Sequence, residues 1–271
     1  MYRLIASDMD ETLLDRQGRI TPRTLRAVRR CMEAGALFSL SSGRMLEAMR
    51  EQAKEIGVNA PMIMFNGAMI YDMAAEKTLF QRAIPADTAR KICRMAEEMN
   101  LYIQTYPGEG YFCPERIDLT FSYEKRIRVQ AQEVHMPLSK WVSQDAVKLL
   151  ALGHDAQEIQ QAMARFKEAF PQGVNFMCSH PTYLEIVAQG IDKGQAMDEL
   201  AKAAGVNRAE TLAFGDGQND IPMLLAAGTG YAMADSAAAK IEGVRIAPPF
   251  HEDGVAQVLE DLLDQGLIGR G

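Results

Sequence analysis

The chain has 271 residues, 48% of them hydrophobic and 24% charged, an ordinary globular balance with length enough for one large core or two modest ones. Its formal net charge of −7 argues against a general nucleic-acid-binding surface. No apolar run is long enough to span a membrane, and the N-terminus enters a strand without a basic region and signal-like apolar segment before it. Cys31, Cys93, Cys113 and Cys178 are scattered, with no C-x-x-C pair. They suit buried thiols in a reducing compartment better than a disulfide framework or a zinc site, and a cytoplasmic protein is expected. The seventeen methionines are spread along the chain and suit core filling.

Arg3–Ser7 reads as a strand buried on both faces, the kind found in parallel sheets. Asp8 and Asp10 follow where it gives out, and the carboxyl ends of strands are where open α/β sheets bind ligands. No glycine-rich phosphate loop follows, so neither a dinucleotide fingerprint nor a Walker A is present. Thr21 and Pro22 open a helix that ends at Gly35. A strand at 36–40 runs into Ser41-Ser42-Gly43-Arg44, a helix at 45–56 follows, and a third strand at 62–65 runs into Asn66-Gly67. This alternation is the pattern of a doubly wound parallel sheet.

The pattern then changes. A hairpin at 68–82 leads to a helix from Pro85, strands at 101–106 and 111–113, a helix near 119–130 and a strand at 147–152. A helix after Asp155 and strands at 174–178 and 183–188 follow. Paired strands with interspersed helices predict an α+β layer, so 83–188 is expected as a domain inserted into a core made of 1–82 and 189–271. The parallel pattern resumes with a helix capped by Asp192 that places Lys193 at its start. A strand at 211–214 then ends in Gly215-Asp216-Gly217-Gln218-Asn219-Asp220. Shorter strands near 231–233 and 244–246, a helical stretch at 237–241 and a last amphipathic helix through Val255 and Leu262 complete the chain.

Four separated segments thus meet at one sheet edge. Asp8, Asp10 and Asp216 are hard oxygen ligands suited to magnesium. Lys193, Ser42 and Asn219 supply donors for a multiply charged anion, and Gly43 lets backbone amides approach it. Metal, anion cradle and carboxylate nucleophile together describe phosphoryl transfer through an aspartyl phosphate.

The motifs Asp8-Met9-Asp10-Glu11-Thr12-Leu13, Ser42-Gly43-Arg44, Lys193-Gly194 and Gly215-Asp216-Gly217-Gln218-Asn219-Asp220 resemble, in order, those of the haloacid dehalogenase-like (HAD) superfamily. More narrowly the chain looks like the Cof-type phosphatase branch, which carries a large α/β cap between the second and third motifs. The resemblance implies a Rossmann-like α/β core with an inserted cap domain for substrate selection, and a Mg2+-dependent phosphatase acting on a small phosphorylated metabolite, such as a sugar or cofactor phosphate. It implies that Asp8 is nucleophile and metal ligand, and that Asp10 is the acid and then the base, its carbonyl also reaching the metal. Asp216 is the third ligand. Met9 (through its amide), Ser42, Gly43, Lys193 and Asn219 hold the phosphate, Asp220 orients Lys193 or metal-bound water, and Asn66 borders the substrate. Arg44 either borders the site or pairs at a helix start. Glu11 departs from the branch, which often has glycine there, and puts an extra acid near the metal. A phosphomutase and a noncatalytic phospho-ligand sensor are the alternatives. Tyr111, Arg116, His135, Trp141 and His180 are candidate cap contacts for which packing is the simpler account. No nucleic-acid or membrane partner is expected, and oligomeric state is unreadable.

Overall fold

Leu4–Ser7 (β1) is buried along its whole length because a strand hydrogen-bonds to it on each side. The computed structural model describes residues 1–269. Two compact units divide the chain: Met1–Gly43 and Met49–Phe80 join the segment from Asp192 onward in the first, and Arg44–Ala48 joins Gln81–Ile191 in the second.

In the first unit, β1 leads to helix α1 (Pro22–Glu33), whose first turn is closed by Thr21 Oγ1 accepting from the Thr24 N–H at 3.1 Å. Thr24, Ala27, Val28 and Cys31 form its buried face. Strand β2 (Leu37–Leu40), helix α2 (Leu46–Ile56, of this unit from Met49) and strand β3 (Met62–Met64) follow, then β4 (Met69–Asp72) and β5 (Lys77–Gln81, of this unit to Phe80). β3 was expected in the parallel sheet. Instead it pairs antiparallel with β4, in a separate sheet of order β3-β4-β5, and meets the end of β2 through a parallel bridge between Ser41 and Ile63. The reason is the tight turn at Phe65–Gly67, which folds the chain straight back so that β4 takes the edge of β3.

The second unit comprises α3 (Ala86–Glu98), β6 (Tyr102–Tyr106), β7 (Phe112–Cys113), α4 (Asp118–Ile127), β8 (Gln132–Glu133), α5 (Leu138–Trp141), β9 (Lys148–Leu152), α6 (Ala156–Ala169), β10 (Val174–His180) and β11 (Tyr183–Ala188). Its sheet has the order β10-β11-β9-β6-β7-β8 and is antiparallel except for β7–β8. Helices α3 and α6 bury Ile92, Ala96, Ile159, Ala162 and Phe166. Tyr123 of α4 packs edge-on against Tyr111 and Tyr183. A buried ion pair, Lys148 Nζ to Glu185 at 2.8 Å, lies in this unit with the ammonium 4.4 Å from the centre of the Tyr106 ring.

The chain returns to the first unit with α7 (Lys193–Ala203), β12 (Thr211–Gly215), α8 (Ile221–Ala226), β13 (Thr229–Met233), β14 (Arg245–Ala247) and α9 (Gly254–Asp264). The stretch near 237–241 is a single 3-10 turn at Ala238–Lys240. The main sheet is wholly parallel, ordered β14-β13-β12-β1-β2. Met197 and Leu200 of α7 and Met223 and Leu224 of α8 share one apolar core with Leu4, Ala6 and Ala213 of the sheet. An α/β core with a parallel sheet and an additional antiparallel sheet is the architecture the sequence implies.

Candidate active site

Strand register decides which residues meet. Ser7 stands opposite Phe214 on β12 and opposite Leu40 on β2, so the next residues, Asp8, Gly215-Asp216 and Ser41-Ser42, emerge side by side at one sheet edge. The Asp8 N–H donates to the Phe214 carbonyl at 2.9 Å, which extends the ladder by one residue and fixes where the carboxylate begins.

Helix α7 brings in the cation. Asp192 caps it, accepting from the Gln195 N–H at 2.8 Å, and Lys193 is its first residue. Gly194 lets the helix start sit against the carbonyl of Pro222, where an added Cβ would lie 2.5 Å from that oxygen. Lys193 is fully buried, and its Nζ donates to Asp8 Oδ1 at 2.5 Å, to Asp220 Oδ1 at 2.5 Å and to the Ser41 carbonyl at 3.2 Å. Its position at a helix N-terminus opposes the helix dipole, and two carboxylates outweigh that.

Both oxygens of Asp220 are engaged. Besides Lys193, it accepts through Oδ2 from the N–H groups of Asp216 (3.1 Å) and Gly217 (2.8 Å), which folds the loop after β12 back on itself. Asp8 and Asp216 each have one engaged oxygen, Asp8 by Lys193 and Asp216 Oδ1 by the Thr12 hydroxyl at 3.1 Å. The carboxylates of Asp8, Asp216 and Asp220 lie within 4.8 Å of one another.

Two buried carboxylates, Asp8 and Asp220, and the half-buried Asp216 around one ammonium leave an excess of two negative charges when all are ionised. Burial, then the neighbouring Asp220, pushes the Asp8 carboxyl well above the usual range, against the pull of Lys193. The same two causes raise Asp216 to about 7, with the Thr12 hydrogen bond opposing. Burial works against the Lys193 ammonium, but Asp220 and Asp8 together hold it protonated above its ordinary value. One hard divalent cation balances this charge, and Asp8 and Asp216 are the carboxylates with an oxygen to give it, so the donor set fits such an ion.

Asp10 is half-buried after a backbone bridge to Leu14, and its carboxylate is not one of the three clustered ones. Met9 and Ser42 are buried at the two strand ends. Asn219 and Asn66 are brought together, Asn219 Nδ2 donating to Asn66 Oδ1 at 3.0 Å, with Gly43 beside Asn66. Arg44 belongs to the second unit, where it is buried and its Nη1 donates to the Ala48 carbonyl at 3.3 Å. Glu11 has φ of 54° and an exposed ion pair with Arg16 at 3.7 Å. Of the aromatic and basic residues noted for the inserted segment, Tyr111 stacks on Tyr106 with ring centres 5.1 Å apart and Trp141 packs on Phe112. Arg116 makes a two-pronged contact with Glu124. Sequence reasoning assigned no role to Thr12 or to the Ser41 carbonyl; the only signal for either was its place in a strand-tip segment.

Over residues 5–259 the chain matches the family of haloacid dehalogenase-like hydrolases. It is 28% identical over 262 residues to a Haemophilus influenzae protein provisionally named a phosphatase, covering 96% of this chain and 98% of that one. Against a protein of Yersinia pseudotuberculosis named HMP-PP phosphatase it is 28% identical over 244 residues, covering 87% and 85%. The crystal structure of a haloacid dehalogenase-like hydrolase from Bacteroides thetaiotaomicron superposes with a TM-score of 0.86 at 28% identity, covering 97% of this chain and all of that one. The parallel sheet, its equipped edge and the match across nearly the whole length agree: this chain belongs to the haloacid dehalogenase-like hydrolases.

Proposed function

We propose that this hydrolase is a magnesium-dependent phosphatase that cleaves small phosphorylated metabolites through a phosphorylated Asp8. The observation that carries the reading is the constellation of buried Asp8, Lys193 and Asp220 with half-buried Asp216 at the carboxyl edge of the parallel sheet. An Asp8 oxygen attacks phosphorus while the bond from phosphorus to the leaving oxygen breaks, and Asp10 gives that oxygen its proton. Asp10, now a carboxylate, takes a proton from water; the resulting hydroxide attacks phosphorus, the bond to Asp8 breaks, and orthophosphate leaves. Lys193 pulls Asp8 towards its ionised form against burial and Asp220 and offers positive charge to the phosphoryl oxygens, with Ser42, Gly43, Asn219 and the Met9 amide as further donors. Asp220 holds Lys193 and the 216–220 loop in place. Asp8 and Asp216, with the Asp10 carbonyl, are the residues that would hold magnesium, which when bound neutralises charge on the phosphoryl group.

The inserted segment is assigned the selection of the leaving group, with Arg44 and Asn66 at the border of the substrate. A sugar phosphate or a cofactor-type phosphate fits the reading, and the Yersinia relative is named for a substrate of the second kind. A cytoplasmic location is supported by Cys31, Cys93, Cys113 and Cys178 being free thiols with no disulfide among them. No helix among the described residues is long and apolar enough to cross a membrane.

The test is a screen of purified protein against phosphorylated metabolites, read as orthophosphate release with and without magnesium. Asp8→Asn is expected to retain the fold and lose turnover by at least a thousandfold, since an amide is a poor nucleophile. Release by that variant at a rate near the parent's would overturn the assignment.

A further inference from the structure

Asn66 carries a feature that the roles assigned above leave unused. It is fully buried, and its side-chain Nδ2 has no hydrogen-bond partner in the protein. Every other polar contact of this residue is spent on the site's own framework. Its backbone N–H donates to the Ser42 carbonyl at 3.0 Å, and its Oδ1 accepts from Asn219 Nδ2 at 3.0 Å. The amide lies against Gly43, where a Cβ would come within 2.9 Å of Nδ2 and 3.0 Å of Oδ1, so glycine at 43 leaves room for it.

The backbone is bent to put it there. Phe65, Asn66 and Gly67 have successive φ values of 51°, 56° and 101°, and a left-handed phenylalanine is a true outlier. A buried amide donor without an acceptor is also unfavourable. If the turn only had to reverse the chain, glycine at 66 would tolerate the same backbone without burying an orphan donor. A strained Phe65 and an orphan donor on the next residue, flanked by Gly43 and Asn219, indicate that the partner of Asn66 arrives with a ligand. The orphan atom is a donor, so the ligand atom is an acceptor. Beside it, Asn219 is a donor too and Lys193 carries a positive charge, and an oxyanion answers both, with a divalent cation screening it from the carboxylates of the same edge.

We propose that Asn66 Nδ2 is a direct hydrogen-bond donor to the transferring phosphoryl group, so that Asn219 acts on the anion in large part by holding Asn66. The inference rests on the phosphatase reading and deepens it. It makes the tip of β3, outside the parallel sheet, a fifth contributor to the anion cradle. It also gives Gly43 a second task, that of admitting the Asn66 amide.

The test uses the full chain with magnesium, p-nitrophenyl phosphate as substrate, and orthovanadate and orthophosphate as anion probes. Asn66→Gly keeps the left-handed backbone and removes the amide. Asn66→Asp keeps the oxygen that accepts from Asn219 and removes the donor. Both are expected to raise the orthovanadate inhibition constant at least tenfold and to lower kcat/KM by a similar factor, with little change in melting temperature. In the parent, the 15N-detected side-chain amide signal that is missing in Asn66→Asp should shift on addition of orthophosphate. Unchanged inhibition in both variants, or an amide signal indifferent to orthophosphate, would overturn the proposal. Parent-like anion affinity in Asn66→Asp with loss in Asn66→Gly would also overturn it, since Asn66 would then act only by holding Asn219. Should Asn66→Gly melt early, Asn66→Asp decides alone. A parent inert to p-nitrophenyl phosphate and blind to vanadate would overturn the phosphatase reading itself, a different result from any of these.

Discussion

Glu11 occupies a backbone conformation that favours glycine, with φ of 54°, directly after the two acids of the opening strand. Its pairing with Arg16 is long, at 3.7 Å, and both side chains are well exposed, so the ion pair offsets little of the strain. Its charge acts inward: Glu11 and Asp216 line a common cavity of about 110 Å3 with Asp235 and Ser236, and Glu11 adds to the rise of the Asp216 carboxyl. Glu11→Gly should therefore stabilise the chain by about 1 kcal/mol through release of left-handed strain, which for a protein of this size raises the melting point by roughly 2–4 °C. The same change removes a negative charge from the neighbourhood of Asp216, so calorimetric titration with magnesium should show weaker binding. A variant that is less stable than the parent would show that Glu11 makes compensating contacts in the fold.

At the scale of elements, the site depends on how closely α7 and α8 approach. Gly194→Ala would push a methyl to 2.5 Å from the Pro222 carbonyl, backbone that cannot swing aside as a side chain can. The helices must part, at a cost of about 1–3 kcal/mol. Because Lys193 is the adjacent residue, the loss of kcat should exceed what the shift in denaturant midpoint would suggest, and an unchanged midpoint would mean that α8 gives way freely. This arrangement was partly legible beforehand. Asp8 and Asp216 could be read because each follows or ends a short buried run in a parallel sheet, where the chemistry collects at one edge by rule, and Lys193 because it opens the helix after Asp192. Asp192 could be read because its spacing to Gln195 is a capping signal. The tip of β3 was less legible: Asn66-Gly67 signals a turn with positive φ at both residues, but neither the left-handed Phe65 nor the orphan amide has a sequence signature. The 115–145 stretch resisted for another reason. β8 is two exposed residues and α5 four, too short to show a period of either kind.

For the molecule as a whole, the two units bury charge differently. The second holds Lys148 against Glu185, one cation to one anion. The first sets Lys193 against three carboxylates, two more negative charges than the ammonium offsets when all are ionised, an excess that protons or a divalent cation would take up. That imbalance gives a pH dependence of definite sign. Asp216 moves from an ordinary value of 3.8 to about 7 on folding, and Asp8 moves in the same direction. Between those two pH values the native chain keeps protons that the unfolded chain releases, so stability falls as pH rises. For Asp216 alone the fall is on the order of 4 kcal/mol, at 1.36 kcal/mol per pKa unit. Asp15, Glu124, Glu210 and Glu260 are held low by their partners, and they add a decline only on the acid side of the ordinary carboxylate range. The windows are therefore separate. With a chelator present, the melting temperature should fall steadily as pH is raised from 5 to 8. Saturating magnesium should flatten that slope, because the cation holds Asp8 and Asp216 as carboxylates and its stabilisation grows as fewer protons must be displaced. The stabilisation by magnesium should thus be several-fold larger in kcal/mol at pH 8 than at pH 5. A chelated protein whose melting temperature is flat or rises over that range would mean that the three carboxylates are balanced within the chain itself, and the case for a divalent cation between Asp8 and Asp216 would fail with it.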